Sequence, residues 1–363
     1  MKLTHFSKSK AYADYSVEEL IDMGLWNRLK LMSWNIELLA LSAILIYSLL
    51  FKIGDIYNRR TVTSFLNSLN DVFKKNFFQY GVNEDSLYIK DSPENYASYA
   101  TGRINIDKVN ISISLQPRHN IFIWLFESVF SFFMDSIEKS EDVAEFTITP
   151  SSDVTYDNFI TAIVSKSGMN DFRNSNYFLS LTKTTDSPKL PESLVFMSET
   201  QEFLDKILTE VLRHSLTQDS ASYLRYIAFT DQPEEKPKSI SQCRPQPRIV
   251  LSTFIPKKHD QLTQLSVIFG ELFRIIDLLS AKKIAFKPES LRKVLKTREN
   301  ELAKIQKLID EGKQELLNSE KAKLKRDEIE KARHISREEQ IKLEKKTQEK
   351  RQRKLQKKQK IRM

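Results

Sequence analysis

The sequence has little cysteine and little glycine, and both shortages exclude classes of protein. Cys243 is the single cysteine among 363 residues, which rules out an intramolecular disulfide and any cysteine-based zinc cluster. None of the seven glycines belongs to a Walker sequence, a dinucleotide-binding turn or a nucleophile elbow. The five histidines stand apart, and no pair has the helical spacing of a metal site. The sequence therefore predicts a scaffold or binding protein with no catalytic residues, no metal and no cofactor, rather than an enzyme.

Long hydrophobic runs are also rare, and one stretch near the start is the exception. Residues 38–51 carry no charge, and residues 36–53 would form about 27 Å of helix, close to the ~30 Å hydrocarbon thickness of a bilayer. A buried core helix is the alternative for so short an uncharged run. We predict a transmembrane helix over residues 34–54. Its ends carry residues suited to the membrane interface, namely Trp34, Glu37 and Lys52.

The basic residues beside this segment indicate its orientation. Arg28 and Lys30 precede it, whereas Lys52, Arg59 and Arg60 follow it, so the excess lies on the C-terminal side. Cytosolic flanks carry such an excess. We therefore expect residues 1–33 to form a short lumenal arm and everything after about residue 55 to be cytosolic.

Residues 55–280 mix helical and strand patterns. Apolar residues recur at helical spacing over 61–80 and 261–279, and residues 191–196 are expected to lead into a helix that continues to about residue 215. These segments do not follow the strict strand–helix alternation of a doubly wound sheet. The predicted fold class is α+β.

Two further segments of this domain bear on its architecture. Residues 99–115 alternate between apolar and polar, which predicts a β-hairpin that turns near Asp107 and Lys108. Residues 120–137 are very apolar but contain Glu127 and Asp135. We expect them to form a core helix or a helix that lies against the lipid surface, rather than a second span.

Charge is unevenly distributed, because residues 281–363 hold 28 Lys and Arg against 14 Asp and Glu. This Lys/Glu-rich region has no proline after Pro288 and only one glycine, Gly312, so it is expected to be helical. Its first half has a heptad spacing that predicts a coiled-coil seam of about three heptads. Its second half carries acid–base pairs one turn apart, which predict a solvated helix. The seam residues are Leu295, Leu302, Ile305, Ile309 and Leu316.

The last 14 residues, 350–363, contain eight basic residues and no acid, so pairing within the helix no longer accounts for the charge. Phosphate backbones attract such segments by counterion release. No aromatic residue follows Phe286, which argues against base stacking on single strands and favours a duplex or a folded RNA contacted through its backbone. Anionic lipid, a partner helix and a disordered solubilising tail remain alternatives. The candidate RNA-binding residues are Lys350, Arg351, Arg353, Lys354, Lys357, Lys358, Lys360 and Arg362.

The order of these parts, a membrane anchor, an α+β domain and a Lys/Glu helix with a basic end, resembles the calumin family, also called coiled-coil domain-containing protein 47. Four segments are similar to the family's Cys-Ser-Gly-Arg, Leu-Pro-Asp-Ser-Leu, Phe-Ser-Asp-Gln and Lys-Leu-Glu-Lys-Lys elements, and they occur in the same order. They are Tyr99-Ala-Thr-Gly-Arg103, Leu190-Pro-Glu-Ser-Leu-Val-Phe-Met-Ser-Glu199, Phe229-Thr-Asp-Gln232 and Lys342-Leu-Glu-Lys-Lys346.

The resemblance covers about residues 35–363 and implies a scaffold subunit of the PAT complex in the endoplasmic reticulum membrane. Its implied partners are an Asterix-like small membrane protein, the ribosome with its RNA, the Sec61 translocon, nascent multipass membrane proteins and the lipid bilayer. The implied role is that of an intramembrane chaperone in membrane-protein insertion. The alternative is a membrane tether whose basic tail binds anionic lipid or a partner helix, with a role in calcium homeostasis. The long acidic lumenal region of animal members is absent before the span, which argues against lumenal calcium binding.

Overall fold

The computed structural model of the protein describes residues 15–31, 34–83, 86–134, 140–154, 156–333, 345–350 and 352. It divides the chain into two units. The first comprises residues 1–234 with 245–291, and the second comprises residues 235–244 with 292–363.

The first unit begins with helices. Short helices α1 (Val17–Asp22) and α2 (Leu25–Leu31) precede the 34-residue helix α3 (Asn35–Ser68), and α4 (Asn70–Asn76) follows at once. The predicted helix over residues 61–80 is therefore interrupted at Leu69 and is wrong in its last four residues, since the chain becomes extended after Asn76.

A ten-stranded antiparallel sheet forms the body of this unit. The order of neighbouring strands is β1-β3-β4-β5-β10-β9-β6-β8-β7, and β2 also pairs with β3. The strands are β1 (Gln79–Tyr80), β2 (Ile89–Lys90), β3 (Asn95–Arg103), β4 (Ile106–Ser114), β5 (Val143–Pro150), β6 (Thr161–Ser165), β7 (Lys183–Thr185), β8 (Leu194–Ser198), β9 (Leu224–Thr230) and β10 (Arg248–Phe254).

The predicted hairpin is present as β3 and β4, but its turn lies at Ile104 and Asn105 rather than near Asp107 and Lys108. Asn105 adopts a positive φ of 69°, a conformation that asparagine tolerates better than most residues. Along β5, every second residue is buried, as expected for a strand with one covered face.

Helix α10 (His259–Ser280) and helix α4 cover that face and enclose an aromatic core. The Phe73 ring is fully buried and lies 4.8–6.3 Å from five neighbouring aromatic rings. Those neighbours are Phe77, Tyr80, Phe146, Phe269 and Phe273. This cluster joins the sheet to both helices.

On the other half of the sheet, β6 and β8 are buried along their whole length. Part of their cover comes from the short helices α6 (Met169–Ser175) and α7 (Tyr177–Ser180), which place Phe172 and Phe178 in a second apolar cluster. Strands buried on both faces read as continuous apolar runs without alternation. The prediction that residues 191–196 lead into one helix reaching residue 215 is wrong for this reason. The chain instead forms β8 and two short helices, α8 (Gln201–Ile207) and α9 (Glu210–Ser215).

Two helices remain. The core-helix interpretation of residues 120–137 is wrong, because α5 (Ile121–Phe130) contains no buried residue. Helix α11 (Pro288–Arg333) is continuous through Gly312 and forms most of the described part of the second unit.

Candidate membrane anchor and basic end

The N-terminal half of α3 is an apolar surface that the described residues leave largely uncovered. Within the described residues, α3 is the one helix long and apolar enough to cross a membrane, and none of its most apolar 18-residue window is buried. A helix that is apolar all round needs a surrounding protein core or lipid. The alternative of a buried core helix therefore fails for this segment.

The predicted interface residues stand at the two ends of this surface. Trp34 precedes the first residue of α3, and its indole Nε1 donates a hydrogen bond to the Leu29 carbonyl oxygen at 2.6 Å. Glu37 lies in the first turn, where a carboxylate complements the helix dipole. Lys52 is exposed about 22 Å further along the helix axis. Their contact with lipid headgroups stays a prediction.

Directly after Lys52, α3 becomes buried and polar. Asp55 pairs with Lys90, while the Asn58 amide donates to the carbonyl oxygens of Pro93 and Gln116 at 3.0 and 3.1 Å. The Asn58 side-chain oxygen accepts a hydrogen bond of 3.0 Å from Arg118. Every polar group of the Asn58 side chain is thus used to hold α3 against the sheet domain.

Arg118 completes this network. Its guanidinium donates two hydrogen bonds to Asp142, at 2.8 and 2.7 Å, and lies over the Tyr57 ring at 5.0 Å. A bidentate pair with both partners mostly buried fixes distance and orientation together. We call Asp55, Asn58, Lys90, Arg118 and Asp142 the collar.

Sequence reasoning missed the collar. The available signal was the pair Asp55 and Asn58, three residues apart and so on one face of a helix, immediately after an apolar run. Their partners in the collar, Lys90 and Arg118, lie 35 and 60 positions away in the sequence, and no local pattern marks them.

Gly54 lies between the apolar surface and the collar, where the loop at Arg118 and His119 crosses α3. A Cβ atom at Gly54 would lie 2.6 Å from the His119 Cα and closer still to the Arg118 carbonyl. Only glycine allows this approach. Beyond the crossing, the His119 ring contacts Phe51 at 5.2 Å, and the Phe122 ring of α5 stacks on Tyr47 at 5.8 Å.

The start of α11 is fixed to the first unit by an aromatic side chain and a carboxylate. Phe286 packs edge-on against Phe159 and Phe203, with ring centroids 4.8 and 4.7 Å apart. The Glu202 carboxylate accepts hydrogen bonds from the Lys287 backbone N–H at 2.9 Å and the Ser290 hydroxyl at 2.6 Å. The Ser290 hydrogen bond is the main cause that lowers the pKa of Glu202. Glu202 thus serves as a cap for this helix from another element.

Within the second unit, the predicted seam residues differ in exposure. Ile305 is buried and Ile309 is half-buried. Leu295, Leu302 and Leu316 are exposed. A coiled coil through all five residues stays a prediction.

The basic end is described only at its start. Residues 345–350 are helical, and Lys350 is exposed. The other seven candidates lie outside the described residues, namely Arg351, Arg353, Lys354, Lys357, Lys358, Lys360 and Arg362.

The described part of the chain holds no group of three or more His, Cys, Asp or Glu side chains placed to hold a metal ion. Burial raises the pKa of the Cys243 thiol, which is the opposite of what activates a cysteine nucleophile.

Known proteins are similar to this chain over most of its length. The chain matches the family described as PAT complex subunit CCDC47 over residues 33–354, from the start of the apolar helix into the basic end. A UPF0674 endoplasmic reticulum membrane protein of Saccharomyces cerevisiae is 27% identical over 341 residues, covering 85% of this chain and 84% of the relative. A UPF0674 endoplasmic reticulum membrane protein of Schizosaccharomyces pombe is 29% identical over 297 residues, covering 78% and 79%. The resemblance noted in the sequence is confirmed, and the chain belongs to the PAT complex subunit CCDC47 family.

Proposed function

We propose that this chain is a scaffold subunit of a PAT complex in the endoplasmic reticulum membrane. In this role it binds translating ribosomes at the Sec61 translocon and assists multipass membrane-protein insertion as part of an intramembrane chaperone. The observation that carries the proposal is the extent of the family match, which includes both the uncovered apolar helix and the start of the basic end. The membrane location of both curated relatives supports it.

In the proposed arrangement, α3 spans the bilayer with residues 1–33 in the lumen, and the sheet domain and α11 lie in the cytosol. Arg59 and Arg60 follow the apolar half of α3 and are exposed on the domain side, as cytosolic flanks favour. The proposed membrane partner is an Asterix-like small protein, and the clients are nascent multipass proteins. The chain's contribution is to hold these partners together rather than to catalyse a reaction.

The basic end is the proposed contact with ribosomal RNA. Lysine and arginine side chains that neutralise phosphates release counterions, so the affinity falls steeply as salt rises. Lys350 has no acidic residue after it in the sequence, whereas Lys304 and Lys307 in α11 pair with Glu301 and Glu311 at 2.7 and 3.8 Å. The cations at the end of the chain can therefore bind a polyanion without first giving up an acidic partner, whereas these two lysines of α11 already pair with glutamates.

Ribosome co-sedimentation of the detergent-solubilised full-length protein over a series of salt concentrations tests the proposal. Deletion of residues 350–363 should release the protein from ribosomes and leave it in the membrane. The double variant K350Q/R351Q should lower the slope of log affinity against log salt by about 1 for each phosphate that is no longer neutralised. Its matched control, K304Q/K307Q, removes the same charge from paired positions and should leave the slope unchanged.

Unchanged ribosome binding after the deletion would overturn the proposed contact. Flotation of the same proteins with neutral and anionic liposomes separates the lipid alternative. If the deletion abolishes binding to anionic liposomes while ribosome binding persists, the basic end is a lipid tether and the proposed ribosome contact is wrong.

A further inference from the structure

Helix α5 and the residues that follow it form an apolar surface with no cover from the described part of the chain. Ten large apolar side chains between Phe122 and Met134 are exposed, and they lie on all sides of the helix. We call residues 121–134 the wedge. Contiguous apolar surface of this kind marks a binding or membrane-contact site on a protein.

The wedge lies beside the membrane segment of α3. The chain crosses α3 at Gly54, contacts Phe51 through His119, and stacks Phe122 on Tyr47. Gly54, Phe51 and Tyr47 follow one another along α3 from the collar toward the apolar half of the helix, over about 10 Å. The first turn of the wedge therefore lies at the same depth as Tyr47, inside the segment that must be covered by lipid.

The polar side chain that precedes the wedge and the one carboxylate within α5 are paired in a way that suits an apolar environment, whereas the buried Ser128 hydroxyl has no hydrogen-bond partner among the described residues. The Asn120 side chain accepts a hydrogen bond from the backbone N–H of Ile123, at the N-terminus of α5. Glu127 is the only ionisable residue of α5, and it is half-buried with its carboxylate accepting a hydrogen bond of 3.3 Å from the Ser140 backbone N–H. The charge is thus directed toward the protein, while the exposed side chains are apolar.

We propose that the wedge is a second membrane element, which enters the leaflet on the domain side of the bilayer and is covered by lipid acyl chains. Lipid is the occupant because the wedge is continuous with the uncovered surface of α3 through the stacking of Phe122 on Tyr47. Ten helical residues extend about 15 Å, half of the ~30 Å core, so α5 reaches into one leaflet and does not span.

The test uses Trp124, which is exposed on the wedge, in full-length protein reconstituted into phosphatidylcholine vesicles. The variant W26F/W34F leaves Trp124 as the only tryptophan. Bromine atoms on the lipid acyl chains should quench most of its emission, and aqueous iodide should quench little. If that variant does not fold, the difference in emission between wild type and W124F supplies the same signal from the native background.

A matched control places the reporter at the opposite end of strand β3. Ile104, in the β3–β4 turn, is 85% exposed. Strand β3 begins at Asn95 beside the collar, and its length places Ile104 about 30 Å from that end. In a background free of other tryptophans, I104W should be quenched by iodide and not by bromolipid.

Two results would overturn the proposal. Iodide quenching of Trp124 as strong as that of I104W places the wedge in water. Protection from both quenchers places it against protein, either a second copy or another part of the chain. The vesicles contain no ribosome and no partner, so a negative result here leaves the proposed function standing.

Discussion

Replacing Gly54 with alanine should separate α3 from the loop that carries the collar. The added Cβ would lie 2.6 Å from the His119 Cα, whereas carbon atoms in contact lie about 3.5–4.0 Å apart. Because the obstructing atoms are backbone, the loop or the helix must move by about 1 Å. Overpacking of this kind costs about 1–3 kcal/mol.

The same movement strains the hydrogen bonds of Asn58, a fully buried residue four positions further along α3. Leaving one buried polar group unpaired adds about 1–3 kcal/mol, while the gain in helix propensity offsets about 1 kcal/mol. We expect G54A to lower the free energy of unfolding by about 1–5 kcal/mol overall.

The assay is thermal unfolding of the full-length protein in detergent. For a domain of about 150–250 residues, each kcal/mol lowers the melting temperature by about 2–4 °C. The matched control is G270A, since Gly270 lies within helix α10 of the same unit with no atom near its Cβ position. That variant should melt at or above the wild-type temperature, because alanine favours the helix by up to about 1 kcal/mol. If G54A melts with G270A rather than below wild type, the close approach at Gly54 does not exist and the collar geometry is wrong.

Three further substitutions test other parts of the first unit. F73A should lower the free energy of unfolding by about 3–5 kcal/mol, measured by denaturant titration, since it empties the centre of the aromatic core. Glu202 binds the start of α11 as a carboxylate with a lowered pKa, so the attachment is present above the ordinary carboxyl pKa of 4.5 and is lost as pH falls through the lowered value. Backbone hydrogen exchange at residues 286–291 should therefore become faster at acid pH in the wild type. In E202Q it should be fast at neutral pH as well, and slow exchange in that variant would contradict the role of Glu202 as a cap. Burial raises the pKa of Glu145, so the folded state binds this proton more tightly and stability falls as pH rises from 4.5 through the raised value. E145Q should unfold at a higher temperature than wild type at neutral pH, and the difference should vanish at low pH; a pH-independent difference would refute this reasoning.

The sequence predicted the helices that face lipid or solvent more reliably than the strands and helices that pack against each other inside the domain. The apolar half of α3 was recognisable because a helix surrounded by lipid is apolar on all sides and gives a continuous apolar run. Helix α11 was recognisable because no proline follows its first residue. The strand β8 was missed, and its residues were expected only to lead into a helix, because a strand buried on both faces has no alternation of apolar and polar residues.

The candidate site shows the same limit more clearly. Trp34, Glu37 and Lys52 could be named because each adjoins the apolar run in the sequence. Arg118 and Asp142 could not, since each acquires its role only when β4 and β5 are paired and their ends meet α3. For α5, composition left both a core helix and a helix against the lipid surface open, and the exposure of its side chains excludes the core helix.

The register of the sheet determines how far from the collar helix α11 begins. Asp142 of the collar directly precedes the first residue of β5, at the strand end that pairs with Ser114 and Phe254. Ile148, near the other end of β5, is joined through Ile249 and Phe229 to Thr161, which begins β6.

Phe159 lies two residues before Thr161 and holds Phe286, at the start of α11. The collar on α3 and the first turn of α11 are thus fixed to opposite ends of the same strands. Eight residues of β5 separate them by about 25 Å. Because β5 pairs on both sides along this length, the separation is set by backbone hydrogen bonds and should not vary with the flexibility of surface loops. The first turn of α11 is therefore kept about one strand length from the collar.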